Sequence, residues 1–247
     1  MIELRHLGVR FGERQALRDV SLSLARGDIL GLIGPPESGK TVLLKAIAML
    51  VDVSAGQLWC DGAQLSGGGG RAADAAAAWR RRIGMSFQND ALFDSQSVFD
   101  NVAYPLRRRH VVESEVNVLV TARLREVGLA AAAALDPSAL SGGMRKRVGI
   151  ARATVAKPEL GLFDEPVAGL DPVTGGRILD LIVTLTRTLG MATVIVSNDL
   201  PVLLPVCNEV MMLHEGAVVY VGSPRGLFTS PRAEVVQFAT GADEGPL

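Results

Sequence analysis

Aromatic residues are scarce in this 247-residue chain. Phe, Trp and Tyr make up 4% of it, within a hydrophobic fraction of 48%. A core built from such a sequence must be aliphatic, which suits parallel strands buried on both faces and the helices that cover them. Cysteine is rarer still. Cys60 and Cys207 stand far apart and in no metal-binding or redox spacing, which excludes a disulfide scaffold and reads as reduced, structural thiols in a cytosolic setting. His6, His110 and His214 also lack metal-ligand spacing. The formal net charge of -1 leaves no global pull toward nucleic acid or anionic lipid. The runs Arg80–Arg82 and Arg107–Arg109 have no interleaved aromatics and read as solvated helix faces. No stretch approaches the ~20 apolar residues of a membrane span, so a membrane role would come through a partner. The opening Met1-Ile2-Glu3-Leu4-Arg5 alternates apolar and charged residues and has no signal-peptide core.

What the chain does have is the octapeptide Gly34-Pro35-Pro36-Glu37-Ser38-Gly39-Lys40-Thr41, which fits the phosphate-loop pattern G-x-x-x-x-G-K-[ST]. The apolar run Ile29–Ile33 before it reads as a buried strand, and Val42–Leu50 after it as a helix with an apolar face. In that context the glycines let backbone N–H groups face phosphate oxygens, and the helix N-terminus adds positive charge. Lys40 would reach the β- and γ-phosphates, and Thr41 would place its hydroxyl on Mg²⁺.

Two further signals follow. Leu160-Gly161-Leu162-Phe163 is an apolar strand ending in Asp164 and Glu165, with Pro166 after them. Both carboxylates then sit at a strand's C-terminal edge. Asp164 fits an acid that orients Mg²⁺, and Glu165 a general base for an attacking water. Leu140-Ser141-Gly142-Gly143-Met144 places Ser141 near a helix start, with exposed N–H groups at Gly142 and Gly143, a second anion-binding helix start.

Around these, residues 2–10 and 16–25 read as antiparallel strands joined at a turn over Phe11–Arg14, and 56–60 as another strand. Ser66–Gly70 reads as a glycine-rich loop, 71–82 as a polar surface helix, 113–127 as a helix, and 129–135 as a short helix or helix end. Strands at 160–163 and 192–196 flank a helix from about 174 to 189, a βαβ alternation. Met211 and Met212 continue an apolar strand-like run. The expected architecture is an α/β P-loop NTPase core of mixed, mainly parallel sheet flanked by helices. One domain over 1–240 has an N-terminal antiparallel β subdomain and an inserted helical subdomain at about 90–145, with a tail at 241–247.

With these three motifs in this order, the chain resembles the ATPase subunit of ABC transporters over essentially its whole length. The resemblance makes Gly34–Thr41 the Walker A loop, Asp164-Glu165 the Walker B acid and catalytic glutamate, and Leu140–Met144 the signature. It gives Gln88 the place of a glutamine that contacts Mg²⁺ and senses the membrane partner. It sets Phe11 against adenine and gives Asp171 the place of the D-loop aspartate. ATP and Mg²⁺ are the cofactors it implies. Two subunits would pair head to tail, each ATP lying between one Walker A loop and the other subunit's signature. Integral permease subunits would hold the dimer at the cytoplasmic face of the bacterial inner membrane.

Within the family the resemblance is strongest to the MlaF-type ATPases of bacterial intermembrane phospholipid transport. It rests on Ala91–Phe93, on Ser97–Arg107, and on an ending from Val236 to Pro246. Lipid-binding and small accessory subunits are implied by the same likeness, and nucleic acid is not. An ABC ATPase for another solute, such as an amino acid importer, is the alternative cargo reading. A slow ATP-gated regulator without a permease is the alternative of another class.

Three residues depart from the family pattern. Asn198 stands between Ser197 and Asp199 where the family has a switch histidine. Asparagine donates a hydrogen bond but carries no charge at any pH, so hydrolysis is expected to persist more slowly and without a histidine titration step. Val42 replaces a second hydroxyl aimed at the α-phosphate, a loss of about 1 kcal/mol. Glu37 places a carboxylate in a phosphate loop and is expected to point to solvent.

Overall fold

The computed structural model describes residues 1–66, 72–88 and 91–247. The glycine-rich stretch beyond Ser66 and the start of the helical segment expected from about 90 lie outside them. In chain order the strands are β1 (Ile2–Phe11), β2 (Arg14–Leu24), β3 (Ile29–Ile33), β4 (Ala55–Cys60), β5 (Ala63–Gln64), β6 (Ile83–Ser86), β7 (Leu160–Asp164), β8 (Ala192–Val196), β9 (Glu209–His214) and β10 (Ala217–Gly222). The α-helices are α1 (Lys40–Ile47), α2 (Ala72–Arg81), α3 (Val98–Arg107), α4 (Glu113–Glu126), α5 (Gly142–Thr154), α6 (Pro172–Leu189), α7 (Leu200–Leu203) and α8 (Ala233–Thr240).

Two sheets form. The antiparallel one runs β2-β1-β4-β5, and the larger one runs β10-β9-β3-β8-β7-β6. In the larger sheet β9, β3, β8, β7 and β6 are parallel, and β10 closes one edge as the antiparallel arm of a hairpin. The parallel strands β3, β7 and β8 are buried at every residue, as their unbroken apolar runs require. One aliphatic core fills the space between the two sheets and includes the apolar face of α1. A second lies on the opposite face, under α6. The helices α3, α4 and α5 close on a third, built from Val98, Val102, Val116, Val120 and Val148.

Some elements differ from expectation for tertiary reasons. The segment 71–82 is not polar all round. Trp79 on α2 is buried and its indole Nε1 donates to the Ile47 carbonyl at 2.7 Å, at the C-terminal end of α1. The alanine stretch 129–135, by contrast, holds the short helix expected of it, as the 3₁₀ segment Ala130–Ala132.

The arginine runs are not merely solvated. Arg107 bridges Asp100 and Glu113 at 2.7 Å each, and Arg109 donates to the Ala156 and Arg81 carbonyls. Arg82 and Arg26 share Asp61 and Glu159 in a four-membered ring of charges. That ring ties the β4–β5 turn of the smaller sheet to the start of β7 in the larger one.

The Arg82 hydrogen bond, with help from Arg26, holds the Glu159 carboxyl down at about 2, below its ordinary 4.5. A depressed carboxylate contributes stability above its unfolded pKa and loses it as pH falls through the folded one. Glu159→Gln is expected to cost about 1–2 kcal/mol at pH 7, discounted for partial exposure. The difference from the parent should shrink as pH drops from 4.5 toward about 2. Urea unfolding across that range checks it. A variant equally stable at pH 7 would show that the ring contributes nothing.

Candidate nucleotide site

Four neighbouring parallel strands, β3-β8-β7-β6, end on one edge of the sheet, the carboxyl edge where open α/β sheets bind ligands. Register sets their ends level. Leu32 lies opposite Val196, and Val196 opposite Asp164. Beyond that line β3 delivers Gly34–Thr41, β8 delivers Ser197 and Asn198, β7 delivers Asp164 and Glu165, and β6 leads through Phe87 to Gln88. Sheet order thus gathers residues up to 164 positions apart in the chain, and it places Asn198 between the phosphate loop and the acids.

The loop itself is fixed by close backbone approach. Gly34 has φ +142°, and a Cβ there would fall 2.1 Å from the Leu213 carbonyl oxygen. Gly39 has φ +104°, and its Cβ would fall 2.8 Å from the Ala16 carbonyl. The β9–β10 turn braces the loop from outside. Gly216 N–H donates to Ser38 O at 3.1 Å, while Arg18 donates from its backbone to Gly216 O and from its guanidinium to Glu215 O. Lys40 lies back on its own loop, its Nζ donating to the Gly34 and Pro35 carbonyls at 2.6 and 2.7 Å. Burial pushes its pKa down, against the opposing pull of the Glu165 and Asp164 charges. Phosphate oxygens are stronger acceptors than those carbonyls, so the ammonium is already placed to exchange one set for the other.

A cleft of about 720 Å³ opens above the loop, lined by Pro35–Val42 on one side and by Phe11, Arg14, Arg18 and His214–Gly216 on the other. Phe11 is 49% exposed at its wall, a position free to stack rather than one lost in a core. Pro36 and Ser38 line it too. Val42 is half-buried and packs against the core between the sheets. Glu37 points outward as expected, at φ +61°, and meets the Arg14 guanidinium at 3.3 Å.

The pattern of the ABC transporter family matches residues 17–168. The chain belongs to the ABC transporter family. It is 37% identical to the intermembrane phospholipid transport system ATP-binding protein MlaF of Haemophilus influenzae, over 100% of this chain and 93% of that protein. It is 40% identical to the methionine import ATP-binding protein MetN of Cupriavidus pinatubonensis, over 98% of this chain and 70% of that one. Among solved structures, the ATP-binding cassette MJ0796 bound to ADP and Pi, a dimer, superimposes with a TM-score of 0.81. It is 28% identical, over 92% of this chain and 100% of that one. This ABC protein is therefore an ATPase with the P-loop NTPase α/β fold, and ATP and Mg²⁺ are its cofactors.

Its acids fit the metal. Asp164 is buried, and one carboxylate oxygen accepts from the Thr41 hydroxyl at 3.0 Å. The other, Oδ1, is buried with no hydrogen-bond partner. Burial pushes the Asp164 carboxyl up, while the Thr41 bond and then the charges of Lys45, Lys40 and Lys146 pull it down. A divalent cation would satisfy the orphaned oxygen and hold the acid ionised. No cluster of three acidic, His or Cys ligands exists among the described residues. Mg²⁺ needs none, because it takes one or two protein oxygens and completes its shell with phosphate and water.

Glu165 follows at φ +48°, its N–H on the Val196 carbonyl at 2.9 Å. Burial pushes its carboxyl up, Lys40 and the Asn198 backbone N–H pull it back, and Asp164 adds to the rise. The Asn198 main chain therefore faces the candidate base, while the residue as a whole is exposed.

Ser141, Gly142, Gly143 and Asp171 do not line the cleft, and neither do Gln88, Asp164, Glu165 and Asn198. Ser141 caps α5, its hydroxyl accepting from Met144 N–H at 3.3 Å. Gly143 faces α6, where a Cβ would fall 3.2 Å from the Thr174 methyl, and Gly142 faces Leu170. Asp171 caps α6 through Val173 and Thr174 N–H groups at 3.1 and 3.0 Å. The starts of α5 and α6 thus lie side by side. Among the described residues, buried cations that the sequence reading did not place include Lys146 and Arg152. Lys146 Nζ donates to the Gln88 carbonyl at 2.8 Å, and Arg152 Nη1 to the Ala91 carbonyl at 2.7 Å. No sequence period marks a side chain that reaches a distant carbonyl.

Proposed function

We propose that this ATPase drives phospholipid transport between bacterial membranes. It would work as a head-to-tail dimer held by permease subunits at the cytoplasmic face of the inner membrane. In each site Gly34, Pro35, Pro36, Glu37, Ser38, Gly39, Lys40, Thr41 and Val42 form the phosphate cradle, and Phe11 stacks on the base. Thr41, Asp164 and Gln88 would hold Mg²⁺, which would offset charge on the phosphates. Glu165 takes the proton from the attacking water, with Asn198 donating a hydrogen bond nearby. Ser141, Gly142, Gly143 and Asp171 act on the nucleotide of the partner subunit. Their closeness to one another at the starts of α5 and α6 supports that pairing.

The cargo reading is carried by the match to MlaF proteins along all of this chain, its Gly241–Leu247 ending included. Importer relatives at 40% identity favour the second reading, a small-solute ATPase. No helix among the described residues is long and apolar enough to cross a membrane. One exposed aromatic surface supports a membrane partner. Phe87, Phe93 and Tyr104 are all exposed around a cleft of about 360 Å³, and the Phe93 and Tyr104 rings stand 4.8 Å apart. Three of the few aromatics in the chain meet there, beside Gln88.

Purification from native membranes in mild detergent tests the proposal. A permease with bound phospholipid supports it, and a permease with a solute receptor and no lipid replaces the cargo. Recovery of the chain alone from the soluble fraction would sink the transport reading. Asn198→His is expected to raise turnover several-fold and to introduce a rate inflection near pH 6.5. An unchanged pH–rate profile would mean that asparagine serves as well as histidine here.

A further inference from the structure

The strand that leads to Gln88 and the helix that begins at the signature touch in register. Gly84 on β6 meets α5 at Ala153, where a Cβ would fall 1.9 Å from the carbonyl oxygen. One step on, Ser86 meets Gly149, where a Cβ would fall 3.1 Å from the Ser86 hydroxyl. A further step on, the Gln88 carbonyl accepts from Lys146. The pairs 84–153, 86–149 and 88–146 advance two residues along the strand for three or four along the helix. That is about 6.6 Å against roughly 5 Å, a match within the give of side chains. Two glycines remove the side chains that would hold the elements apart, and a buried lysine ends the series. Arg152, also buried, adds a second hold on the far side at the Ala91 carbonyl, with its guanidinium 5.7 Å from the Phe93 ring.

We infer that Lys146 and Arg152 are positioning residues. They fasten the Gln88 segment to α5, so that the signature helix sets where the Gln88 side chain stands relative to nucleotide and metal. A shift of the signature helix in the assembled dimer then carries Gln88 with it through the 88–146 contact, and movement at the Phe93–Tyr104 surface reaches both. Neither cation touches substrate. Their hold on the segment runs through the Gln88 and Ala91 carbonyls, and the Lys146 charge also acts on Asp164 and Glu165, which is why the Gln88→Ala background decides between the two effects. The inference rests on the reading of Gln88 as a metal contact and needs nothing from the cargo reading, because its test uses hydrolysis by the chain itself.

The experiment compares Lys146→Met and Lys146→Arg with the parent. It reads ATP affinity without Mg²⁺, kcat, and the Mg²⁺ concentration for half-maximal rate. Lys146→Met is expected to keep ATP affinity within twofold, to lower kcat about tenfold, and to raise the Mg²⁺ requirement several-fold. Lys146→Arg should recover most of both. In a Gln88→Ala background Lys146→Met should have little further effect, since both act through one side chain. Gly149→Ala gives an independent arm if the methionine variant does not fold. It wedges helix from strand at Ser86 and should raise the Mg²⁺ requirement without weakening ATP binding. Two results would overturn the inference: parent-like kcat and Mg²⁺ dependence in Lys146→Met, or additive losses with Gln88→Ala.

Discussion

Glu165→Gln is expected to bind ATP as the parent does and to hydrolyse it at least about 100-fold more slowly, the typical worth of a positioned general base. The amide keeps the volume and one acceptor of the carboxylate but loses its negative charge and its capacity to take a proton. The backbone around it should not change, because its left-handed φ is held by the N–H bond to Val196 on the neighbouring strand. Burial raises the Glu165 carboxyl in the parent. The acid limb of the parent rate should therefore lie above the ordinary carboxylate range, and the variant should lack it. Turnover and ATP binding measured on the same preparation decide the matter. Retention of a tenth of parental turnover would remove Glu165 from the role of base. Loss of ATP binding along with turnover would give it a structural role instead.

Gly34→Ala should be among the most damaging single methyl additions, and the one that falls on the phosphate loop. It demands φ +142° of an L-residue and drives a Cβ to 2.1 Å from the Leu213 carbonyl, which is backbone and cannot swing away. Either the loop lifts off β9 or β9 retreats, and both displace the Lys40 acceptors. ATP affinity is expected to fall at least 100-fold, with a lower melting temperature. Gly176→Ala is the control. It lies inside α6 with nothing within 4 Å of its Cβ, and should stabilise the protein by about 0.5–1 kcal/mol. A Gly34→Ala protein that bound ATP normally would show that the loop does not need its contact with β9.

The elements around the nucleotide were readable because their signals are local. A buried parallel strand is an unbroken apolar run, and Ile29–Ile33, Leu160–Phe163 and Ala192–Val196 are such runs. The loop after β3 and the acids after β7 then follow from chain order alone. What was missed depends on distant neighbours. β10 is only half-buried and gives no clean alternation, and it exists because β9 offers an edge. Pairing also lengthens the first hairpin to Phe11 and Arg14, beyond the period-two pattern. Trp79 hides in a stretch whose composition is alanine and arginine. The grips of Lys146 and Arg152, and the ring of charges at Glu159, join residues whose separation no period predicts.

One consequence follows from the buried indole on α2. The chain has two tryptophans, Trp59 half-exposed on β4 and Trp79 buried with its N–H fixed to the last turn of the helix that starts at Lys40. Emission from Trp79 should be blue-shifted and shielded from iodide, and Trp59 should be neither. Replacing Trp59 with phenylalanine would leave a single native fluorophore bonded to the far end of the phosphate-loop helix. Light from that one residue could then report, without any added dye, whether the helix stays put or moves when nucleotide arrives at its other end.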